Sequence, residues 1–384
     1  MNLFDVYPLF DITPVKARGS FITDDKGNEY LDLYGGHAVI SVGHSHPQYI
    51  KALALQLNKI GFYSNAVKIP LQEQLAKKLG RISGCNAYQL FLCNSGTEAN
   101  ENALKLASFH NNRKKVIAFK NSFHGRTSLS VGVTDDTAIA AEINRSHEVV
   151  FLPLNDSEAF TNAIDEDTCA VIMEGIQGVG GINVATDEFL RIVEYHCRKK
   201  GALLIMDEIQ SGYGRTGKFF AFQHSGIKPD LITIAKGMGN GFPIAGVLIQ
   251  PGIEAKHGLL GTTFGGNYLA CSAAISVLEI IDRELLMVNA KDIGNYLMEE
   301  LKKIKGIKKV KGKGLMIGIE TEGNSTVLRT ALLMEQKVIT GYSPGKNTIR
   351  LLPPLSISKQ EADQFLTSIK LILEKTNQLE LSLQ

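Results

Sequence analysis

An apolar run, a lysine and a glycine-rich segment follow one another in Leu231-Ile232-Thr233-Ile234-Ala235-Lys236-Gly237-Met238-Gly239-Asn240-Gly241. The apolar run is typical of a buried β-strand, which places Lys236 at the strand end. Burial lowers the pKa of an amine and makes it a nucleophile near neutral pH, and glycines let the backbone approach a flat ligand closely. The same pattern would also suit a lysine whose side chain extends from the strand end into solvent. Assigning a function to Lys236 therefore requires a second residue that acts with it.

A carboxylate stands at the end of another apolar run, in Ala202-Leu203-Leu204-Ile205-Met206-Asp207-Glu208-Ile209-Gln210. The run predicts a buried parallel strand, and Asp207 then lies at the edge where open α/β sheets bind ligands. Asp207 alone could also be a loop or helix cap. Together with Lys236 it predicts a pyridoxal-phosphate site, because a carboxylate can keep the pyridine nitrogen protonated and Gln210 can donate to the ring oxygen.

A third segment has the pattern of a phosphate site. Gln89-Leu90-Phe91-Leu92-Cys93-Asn94 predicts a short strand, and Ser95-Gly96-Thr97-Glu98 opens a helix that runs to about His110. Hydroxyls and free backbone N–H groups at a helix N-terminus bind anions. An ordinary helix cap, with Glu98 in the first turn, remains the alternative interpretation.

Motifs in the same order as in a known family extend from near residue 15 to near residue 370. The chain resembles the class III pyridoxal-phosphate aminotransferases, specifically the acylornithine/ornithine branch. The matching stretches are Asp32-Leu33 through Gly43-His44-Ser45-His46-Pro47, Asn94 to Asn100, Ser122-Phe123-His124-Gly125-Arg126-Thr127, Asp207 to Gly217, Ala235-Lys236-Gly237, Thr262-Thr263-Phe264-Gly265-Gly266-Asn267 and Ile349-Arg350-Leu351-Leu352-Pro353-Pro354-Leu355.

The resemblance implies a role for each matching residue. Lys236 would hold the cofactor covalently and move a proton, with Asp207 at the pyridine nitrogen. Arg126 and Arg350 would bind substrate carboxylates, Arg350 the α-carboxylate of glutamate, and Glu174 would belong to the substrate site. Thr263 would reach the cofactor phosphate of a neighbouring subunit, which implies a homodimer with shared active sites. The cofactor-binding residues implied are Ser95, Gly96, Thr97, Phe123, Asp207, Gln210, Lys236 and Thr263.

The sequence departs from the family pattern at positions near the substrate. Val179 stands in Glu174-Gly175-Ile176-Gln177-Gly178-Val179-Gly180-Gly181, where relatives commonly carry a glutamate that can pair with the distal arginine. Arg350 is therefore expected to stay open at all times. His37 replaces a residue that is usually apolar, and Phe62 one that is often histidine. These departures concern the substrate rather than the cofactor.

Strand and helix patterns alternate through most of the chain. Val116–Phe119, Val149–Leu152 and Ala170–Met173 are further strand candidates, and Asp187–Lys200 is a helix candidate. The alternation predicts an α/β fold with a mostly parallel central sheet covered by helices on both faces, and the changed pattern after about residue 285 predicts a small α+β domain. The family resemblance implies that this is a fold type I transferase. We expect residues 46–275 to form the large cofactor-binding domain and residues 276–384 the small C-terminal domain, which the N-terminal segment 1–45 joins.

Composition excludes several other classes of protein. The 384 residues carry a net charge of +2, which favours neither nucleic acid nor membrane as a partner. The five cysteines lack a Cys-x-x-Cys pair, and the N-terminus lacks the pattern of a signal peptide, so a cytoplasmic enzyme is expected. The glycines at 212, 214 and 217 resemble a dinucleotide fingerprint, but no helix pattern follows them. We predict no metal site, because His44 and His46 lack further ligands at suitable spacing.

The family resemblance implies transfer of the δ-amino group of an N-acylated ornithine, acetyl or succinyl, to 2-oxoglutarate. The products would be the acylated glutamate semialdehyde and glutamate, in arginine biosynthesis. Transamination of free ornithine, transamination of 4-aminobutyrate and aminomutase chemistry remain alternatives within the fold. A non-catalytic pyridoxal-phosphate sensor is the alternative from another class.

Overall fold

The computed structural model describes residues 1–343 and 345–382. The strands are, in chain order, β1 (Pro14–Arg18), β2 (Phe21–Asp24), β3 (Glu29–Asp32), β4 (Gln89–Cys93), β5 (Lys115–Phe119), β6 (Val149–Leu152), β7 (Thr168–Met173), β8 (Ile176–Gln177), β9 (Asn183–Val184), β10 (Leu203–Asp207), β11 (Leu231–Ile234), β12 (Ala245–Ile249), β13 (Ile307–Lys313), β14 (Met316–Thr321), β15 (Val338–Ile339), β16 (Gly341–Ser343) and β17 (Thr348–Leu351). The helices are α1 (Gly35–Ala38), α2 (Pro47–Leu57), α3 (Pro70–Ser83), α4 (Gly96–Asn111), α5 (Ser128–Gly132), α6 (Ser157–Ala163), α7 (Asp187–Lys200), α8 (Tyr268–Arg283), α9 (Leu286–Leu301), α10 (Ser325–Gln336) and α11 (Lys359–Ser382).

A seven-stranded sheet with the order β4-β12-β11-β10-β7-β5-β6 forms the centre of the fold. Strands β11, β10, β7, β5 and β6 pair in parallel, whereas β12 is antiparallel to both of its neighbours. The reversal follows from chain length, because residues 235–244 between β11 and β12 are too few for the crossover that a parallel pair requires. The prediction of a mostly parallel sheet therefore agrees with the structure.

The central sheet is buried on both faces. Along β10, Leu204 and Met206 pack into the cluster that contains Phe189 and Val193 of α7, whereas Ile205 packs into the cluster that contains Ala103 of α4. Successive residues of a strand point to opposite faces, so a strand covered on both sides is apolar at every position. This is why the apolar runs in the sequence locate these strands.

The N-terminal and C-terminal parts of the chain share a second sheet, with the order β1-β2-β3-β15. Leu31 of β3 lies beside Val338 of β15 in a parallel pair. A third sheet, β13-β14-β17-β16, is antiparallel throughout and carries Arg350 on β17. The pairing of β3 with β15 joins the N-terminal segment to the C-terminal part of the chain, as expected if the two form one small domain. The boundaries near residues 45 and 275 stay a prediction.

The segment α1 is a left-handed turn that leads from β3 toward the central sheet. Gly35, Gly36, His37 and Ala38 have φ values of 54°, 55°, 70° and 65°. Left-handed backbone is costly for residues other than glycine, so His37 and Ala38 need their surroundings to hold them there.

Within residues 1–343 and 345–382, no helix is long and apolar enough to cross a membrane. The five cysteines are buried free thiols.

Candidate active site

Lys236 and Asp207 lie at the carboxyl ends of two neighbouring parallel strands, β11 and β10. Lys236 opens a short 3-10 turn, Lys236–Met238, with a positive φ of 45° that directs the chain away from the strand. Burial lowers the pKa of the Lys236 amine, while the carboxylates of Asp207 and Glu174 act in the opposite direction. The amine is thus partly desolvated and remains close to two acids.

Three donors hold the Asp207 carboxylate, and Asp207 is only 4% exposed. The Asn100 amide donates to Oδ2 over 2.8 Å, and His124 Nδ1 lies 2.7 Å from the same oxygen. The backbone N–H of Ile209 donates to Oδ1 over 3.0 Å. Donors of this kind stabilise the ionised form of a carboxylate and fix its orientation.

Most of the predicted site residues line one cavity of about 420 Å³. They are Ser95, Gly96, Thr97, Phe123, Arg126, Glu174, Asp207, Gln210 and Lys236. Two predicted residues, Arg350 and Thr263, are not among the described residues that line it.

Helix α4 directs its N-terminus at the cavity, through Gly96 and Thr97. The Ser95 hydroxyl caps the helix by accepting from the Glu98 N–H over 3.3 Å and donating to the Glu98 carboxylate over 3.0 Å. The alternative interpretation as a helix cap therefore holds for the Ser95 side chain. A Cβ on Gly96 would lie 2.8 Å from Ile209, so glycine is needed for this close approach.

A hydroxyl cluster follows the same helix start. The Thr97 hydroxyl lies 2.8 Å from that of Thr127 and 2.5 Å from that of Ser130. A Cβ on Gly125 would lie 2.2 Å from the Thr97 hydroxyl oxygen, so Gly125 leaves room for the cluster. Free N–H groups and hydroxyls together form an anion site of the kind expected for a phosphate.

Glu174 is a buried acid at the wall of the cavity. Its carboxylate accepts from the Phe123 N–H over 3.1 Å and from the Gly178 N–H over 2.7 Å. Burial raises the pKa of Glu174 to about 7, Asp207 adds to this effect, and His124 and the two N–H groups oppose it. Glu174 can therefore hold or release a proton near neutral pH.

Gln210 connects the cavity with the left-handed turn α1. Its amide nitrogen donates to the His37 carbonyl oxygen over 3.2 Å. Its amide oxygen has no hydrogen-bond partner among the described residues, and a Cβ on Gly178 would lie 1.9 Å from that oxygen. The side chain is thus held at one end only.

Arg350 is buried beside the cavity, and the expectation that it stays open is wrong in this structure. Its Nη1 donates to the Gly178 carbonyl over 3.1 Å, its Nη2 to the Tyr34 hydroxyl over 3.0 Å, and its Nε to the Tyr342 carbonyl over 3.1 Å. No carboxylate of the described chain forms an ion pair with it, as the valine at position 179 leads one to expect. Neutral groups cover it instead.

The other two predicted substrate or phosphate residues are exposed. Arg126 lies with its guanidinium carbon 6.0 Å from the centre of the Phe123 ring. Thr263 is exposed beside Phe264, whose ring lies 5.3 Å from that of Phe62. Thr263 is thus exposed and does not line the cavity of its own chain.

Sequence reasoning missed the residues that support the site. His124 and Asn100 orient Asp207, and their position inside the matched motifs was the available signal. Tyr34 could not be found in this way, because its contact with Arg350 joins residues 316 positions apart.

The residues present fit pyridoxal phosphate. The cavity offers an amine at Lys236, an oriented carboxylate at Asp207 and a helix N-terminus at Gly96 and Thr97. The unpartnered amide oxygen of Gln210 and the unpartnered Nε2 of His124 show that part of the polar lining among the described residues is unsatisfied by the protein alone. A polar, flat, anionic ligand matches this set of groups.

A family model described as aminotransferase class-III matches residues 5–373. The acetylornithine aminotransferase of Bacillus subtilis is 41% identical over 379 residues, which cover 96% of this chain and 97% of that protein. The acetylornithine/succinyldiaminopimelate aminotransferase of Buchnera aphidicola is 40% identical, covering 96% of this chain and 94% of that protein.

A solved structure has the same fold over nearly the whole chain. The ornithine aminotransferase of Toxoplasma gondii, described with partial occupancy of PLP at its active site, superposes with a TM-score of 0.89 at 28% identity, covering 96% of this chain and 92% of that chain. This match confirms the predicted α/β fold of the fold type I kind.

Proposed function

The chain belongs to the class-III aminotransferases, and from this premise we propose that it transfers the δ-amino group of an N-acylated ornithine to 2-oxoglutarate. It is an enzyme with pyridoxal phosphate as cofactor. The observation that carries the proposal is the placement of Lys236 and Asp207 on neighbouring strand ends in one cavity. The reaction would serve arginine biosynthesis, since curated relatives at 37–41% identity are acetylornithine aminotransferases.

The chemistry divides between the cofactor and the protein. When bound, pyridoxal phosphate supplies an aldehyde that receives the amino group and a ring that withdraws electrons from the reacting carbon. Lys236 supplies the amine that holds the cofactor, and its Nζ carries the proton to and from the substrate carbon. A lowered pKa keeps part of this amine neutral, which both tasks require.

The remaining polar residues orient the cofactor. We assign Asp207 to the pyridine nitrogen, because three hydrogen-bond partners fix the orientation of its carboxylate. Gly96 and Thr97 would hold the phosphate at the start of α4, with the Ser95 cap beside them. Phe123 would lie against the ring, and Gln210 would donate its second amide hydrogen to the ring oxygen.

Substrate carboxylates would meet the two arginines. Arg126 is exposed at the cavity and suits the carboxylate at the far end of a substrate. Arg350 suits the α-carboxylate of glutamate and 2-oxoglutarate, since a guanidinium binds a carboxylate by a bidentate fork. Glu174, bound to the Gly178 N–H, would fix the residue whose carbonyl accepts from Arg350.

The proposal does not specify which acyl group the ornithine carries. A comparison of kcat/KM among candidate amine substrates tests this point. Initial rates with N-acetylornithine, N-succinylornithine, free ornithine, N-succinyldiaminopimelate and 4-aminobutyrate would be measured at fixed 2-oxoglutarate. We expect the highest kcat/KM for an acylated ornithine. A higher value for free ornithine or for 4-aminobutyrate would contradict the proposal.

The same assay separates the enzyme from its alternatives. Omission of 2-oxoglutarate should stop turnover after one equivalent of amine per site. Continued turnover would indicate aminomutase chemistry, and binding of cofactor without any amine transfer would indicate a sensor.

We also propose that the active form is a homodimer in which Thr263 completes the phosphate site of the second subunit. Thr263 is exposed and does not line its own cavity, and it precedes Phe264, which is 58% exposed and lies against Phe62, which is 43% exposed. Exposed aromatic residues of this kind are typical of surfaces that become buried in an interface.

A further inference from the structure

The two proposed substrates place different groups beside the reacting carbon. In glutamate, the carbon that bears the amine also bears a carboxylate, whereas the δ-carbon of an acylornithine bears only hydrogen and a methylene group. A buried guanidinium next to this carbon therefore has an ionic partner in one half-reaction and lacks it in the other. A buried charge without a partner is costly, so some group must satisfy Arg350 when an acylornithine is bound.

Three acceptors satisfy Arg350 in the described chain, and two of them are fixed. The Gly178 carbonyl belongs to a residue whose own N–H is bound to Glu174. The Tyr342 carbonyl belongs to β16, which is paired with β17. The third acceptor is the hydroxyl of Tyr34, 3.0 Å from Nη2, and it belongs to a half-buried side chain, whereas the other two acceptors are backbone carbonyls.

We propose that Tyr34 and His37 form a neutral, movable cover on Arg350, which is withdrawn for the α-carboxylate of glutamate and retained for the δ-amine of an acylornithine. The inference rests on the proposed function, because it takes Arg350 as the anchor of the α-carboxylate. Tyr34 and His37 are then specificity-determining residues that act through Arg350.

His37 is the alternative partner for the hydroxyl. The Tyr34 hydroxyl oxygen lies 2.6 Å from His37 Nδ1. A hydroxyl has one hydrogen, and Tyr34 accepts from Arg350, so it donates this hydrogen to an unprotonated Nδ1. When a carboxylate takes the place of Tyr34 on Arg350, the hydroxyl keeps its bond to His37 and no buried polar group is left without a partner.

The backbone around the pair fits a movable cover. His37 lies in the left-handed turn α1, and its carbonyl oxygen accepts from Gln210, so the turn is fastened to the cavity wall. A Cβ on Gly341 would lie 2.1 Å from Cε2 of Tyr34, and Gly341 is the residue paired with Arg350. Glycine at this position therefore provides the space in which the Tyr34 ring lies beside the guanidinium.

The test measures binding in each half-reaction separately, by absorbance titration and stopped flow of the holoenzyme with glutamate and with N-acetylornithine. Tyr34→Phe removes the competing hydroxyl, so the dissociation constant of glutamate should fall about fivefold to tenfold while productive binding of N-acetylornithine weakens. His37→Gly keeps the left-handed backbone but removes the alternative partner, so the hydroxyl stays on Arg350 and glutamate should bind several-fold more weakly.

Tyr34→Phe and His37→Gly are expected to change the dissociation constant of glutamate in opposite directions. A merely structural role of two residues in contact would not produce opposite changes. Gly341→Ala should displace the Tyr34 ring and shift glutamate binding in the same direction as Tyr34→Phe. The matched control is Tyr30→Phe, which removes a hydroxyl bonded to Asp24 in β2, away from the site, and should leave both dissociation constants unchanged.

Two results would overturn the inference alone. Weaker glutamate binding in Tyr34→Phe would make the hydroxyl a direct substrate ligand, and an unchanged ratio of the two dissociation constants in both variants would mean that no cover exists. If the wild-type holoenzyme did not exchange its amino group with glutamate at all, the proposed function would fail first, and the inference with it.

Discussion

At the residue scale, the chemistry depends on opposing influences on single side chains. Burial lowers the pKa of Lys236, while Asp207 and Glu174 act to raise it. Burial raises the pKa of Glu174 to about 7, while two backbone N–H groups act to lower it. Glu174 can thus change protonation state near neutral pH, and the lowered pKa of Lys236 favours its neutral, nucleophilic form, which suits a site that moves protons.

Lys236 should be the residue that carries the cofactor. Borohydride treatment of the holoenzyme followed by peptide mapping should place the reduced cofactor on Lys236. Lys236→Ala should lose activity by about four orders of magnitude or more, because the nucleophile and the proton carrier are lost together. The matched control is Lys228→Ala, an exposed lysine that precedes β11, which should retain full activity. Label on a lysine other than Lys236 would refute the assignment.

Asp207 should act through its charge rather than through packing. Asp207→Asn keeps the size of the side chain but removes the charge at the pyridine nitrogen, so proton abstraction should slow by about a thousandfold, or on the order of 4 kcal/mol. Cofactor binding should change much less. His124→Gln should give a smaller loss, because His124 only orients the carboxylate over 2.7 Å. Single-turnover kinetics with each amine would measure both, and near-normal rates in Asp207→Asn would exclude this role.

At the scale of strands and turns, apolar patterns in the sequence predict where buried strands lie but not the direction in which they run. Strands β10 and β11 are located by runs that are apolar apart from Thr233, and Asp207 and Lys236 are placed at their carboxyl ends on that basis. The direction of β12 was not predicted, because an apolar run has the same appearance in a parallel and in an antiparallel strand. The short connection before it decides the direction.

Contacts that depend on sheet pairing could not be predicted from local pattern. Arg350 was assigned to the substrate site by resemblance, but its contact with Tyr34 requires the pairing of β17 with β16 and of β3 with β15. Likewise, Asn100 is an ordinary helix residue by pattern, and only the position of α4 on the sheet brings it to Asp207. Long-range pairing is the information that a single sequence lacks.

The loop after β10 should make stability depend on pH through Glu208. This fully buried carboxylate accepts from the Ser211 hydroxyl and from the N–H groups of Ala221 and Phe222, and burial raises its pKa to about 7. A pKa raised by folding means that the folded state binds the proton more tightly. The contribution of Glu208 to the free energy of unfolding is therefore fully present below pH 4.5 and is lost as the pH rises through 7.

Urea unfolding at several pH values would measure this effect. Relative to Glu208→Gln, the wild type should lose on the order of 3 kcal/mol of unfolding free energy between pH 4.5 and pH 8. The control Glu188→Gln changes an exposed glutamate in α7 and should follow the wild-type curve. A difference between wild type and Glu208→Gln that does not vary with pH would contradict the prediction.

At the scale of the whole molecule, residues distant in sequence contribute to one site. The central sheet supplies Lys236 and Asp207, Arg350 of the C-terminal sheet is buried beside the cavity, and His37 of the N-terminal turn accepts from Gln210 in the cavity wall. One predicted residue, Thr263, is exposed and does not line the cavity of its own chain. If it has a role in catalysis, a second copy of the chain must provide the site it serves.

Complementation between two inactive or weakened chains tests this last role. Thr263→Ala should remain a dimer by sedimentation and bind cofactor about tenfold more weakly, because one hydrogen bond to a charged group is lost. Thr326→Ala, which changes an exposed threonine in α10, is the control and should bind cofactor normally. A dimer that dissociates on Thr263→Ala would assign the residue to the interface rather than to the phosphate.

Mixed dimers of Lys236→Ala with Thr263→Ala then distinguish the two subunits. If Thr263 serves the neighbouring subunit, the Thr263→Ala chain keeps its own Lys236 and receives an intact Thr263 from its partner, so one of the two sites is wild type. Half of the wild-type activity and a wild-type cofactor affinity should return at that site. If Thr263 served its own subunit, each site would carry one defect, and the mixture would show only the weakened affinity. Recovery of normal affinity on mixing therefore requires an active site built from two chains.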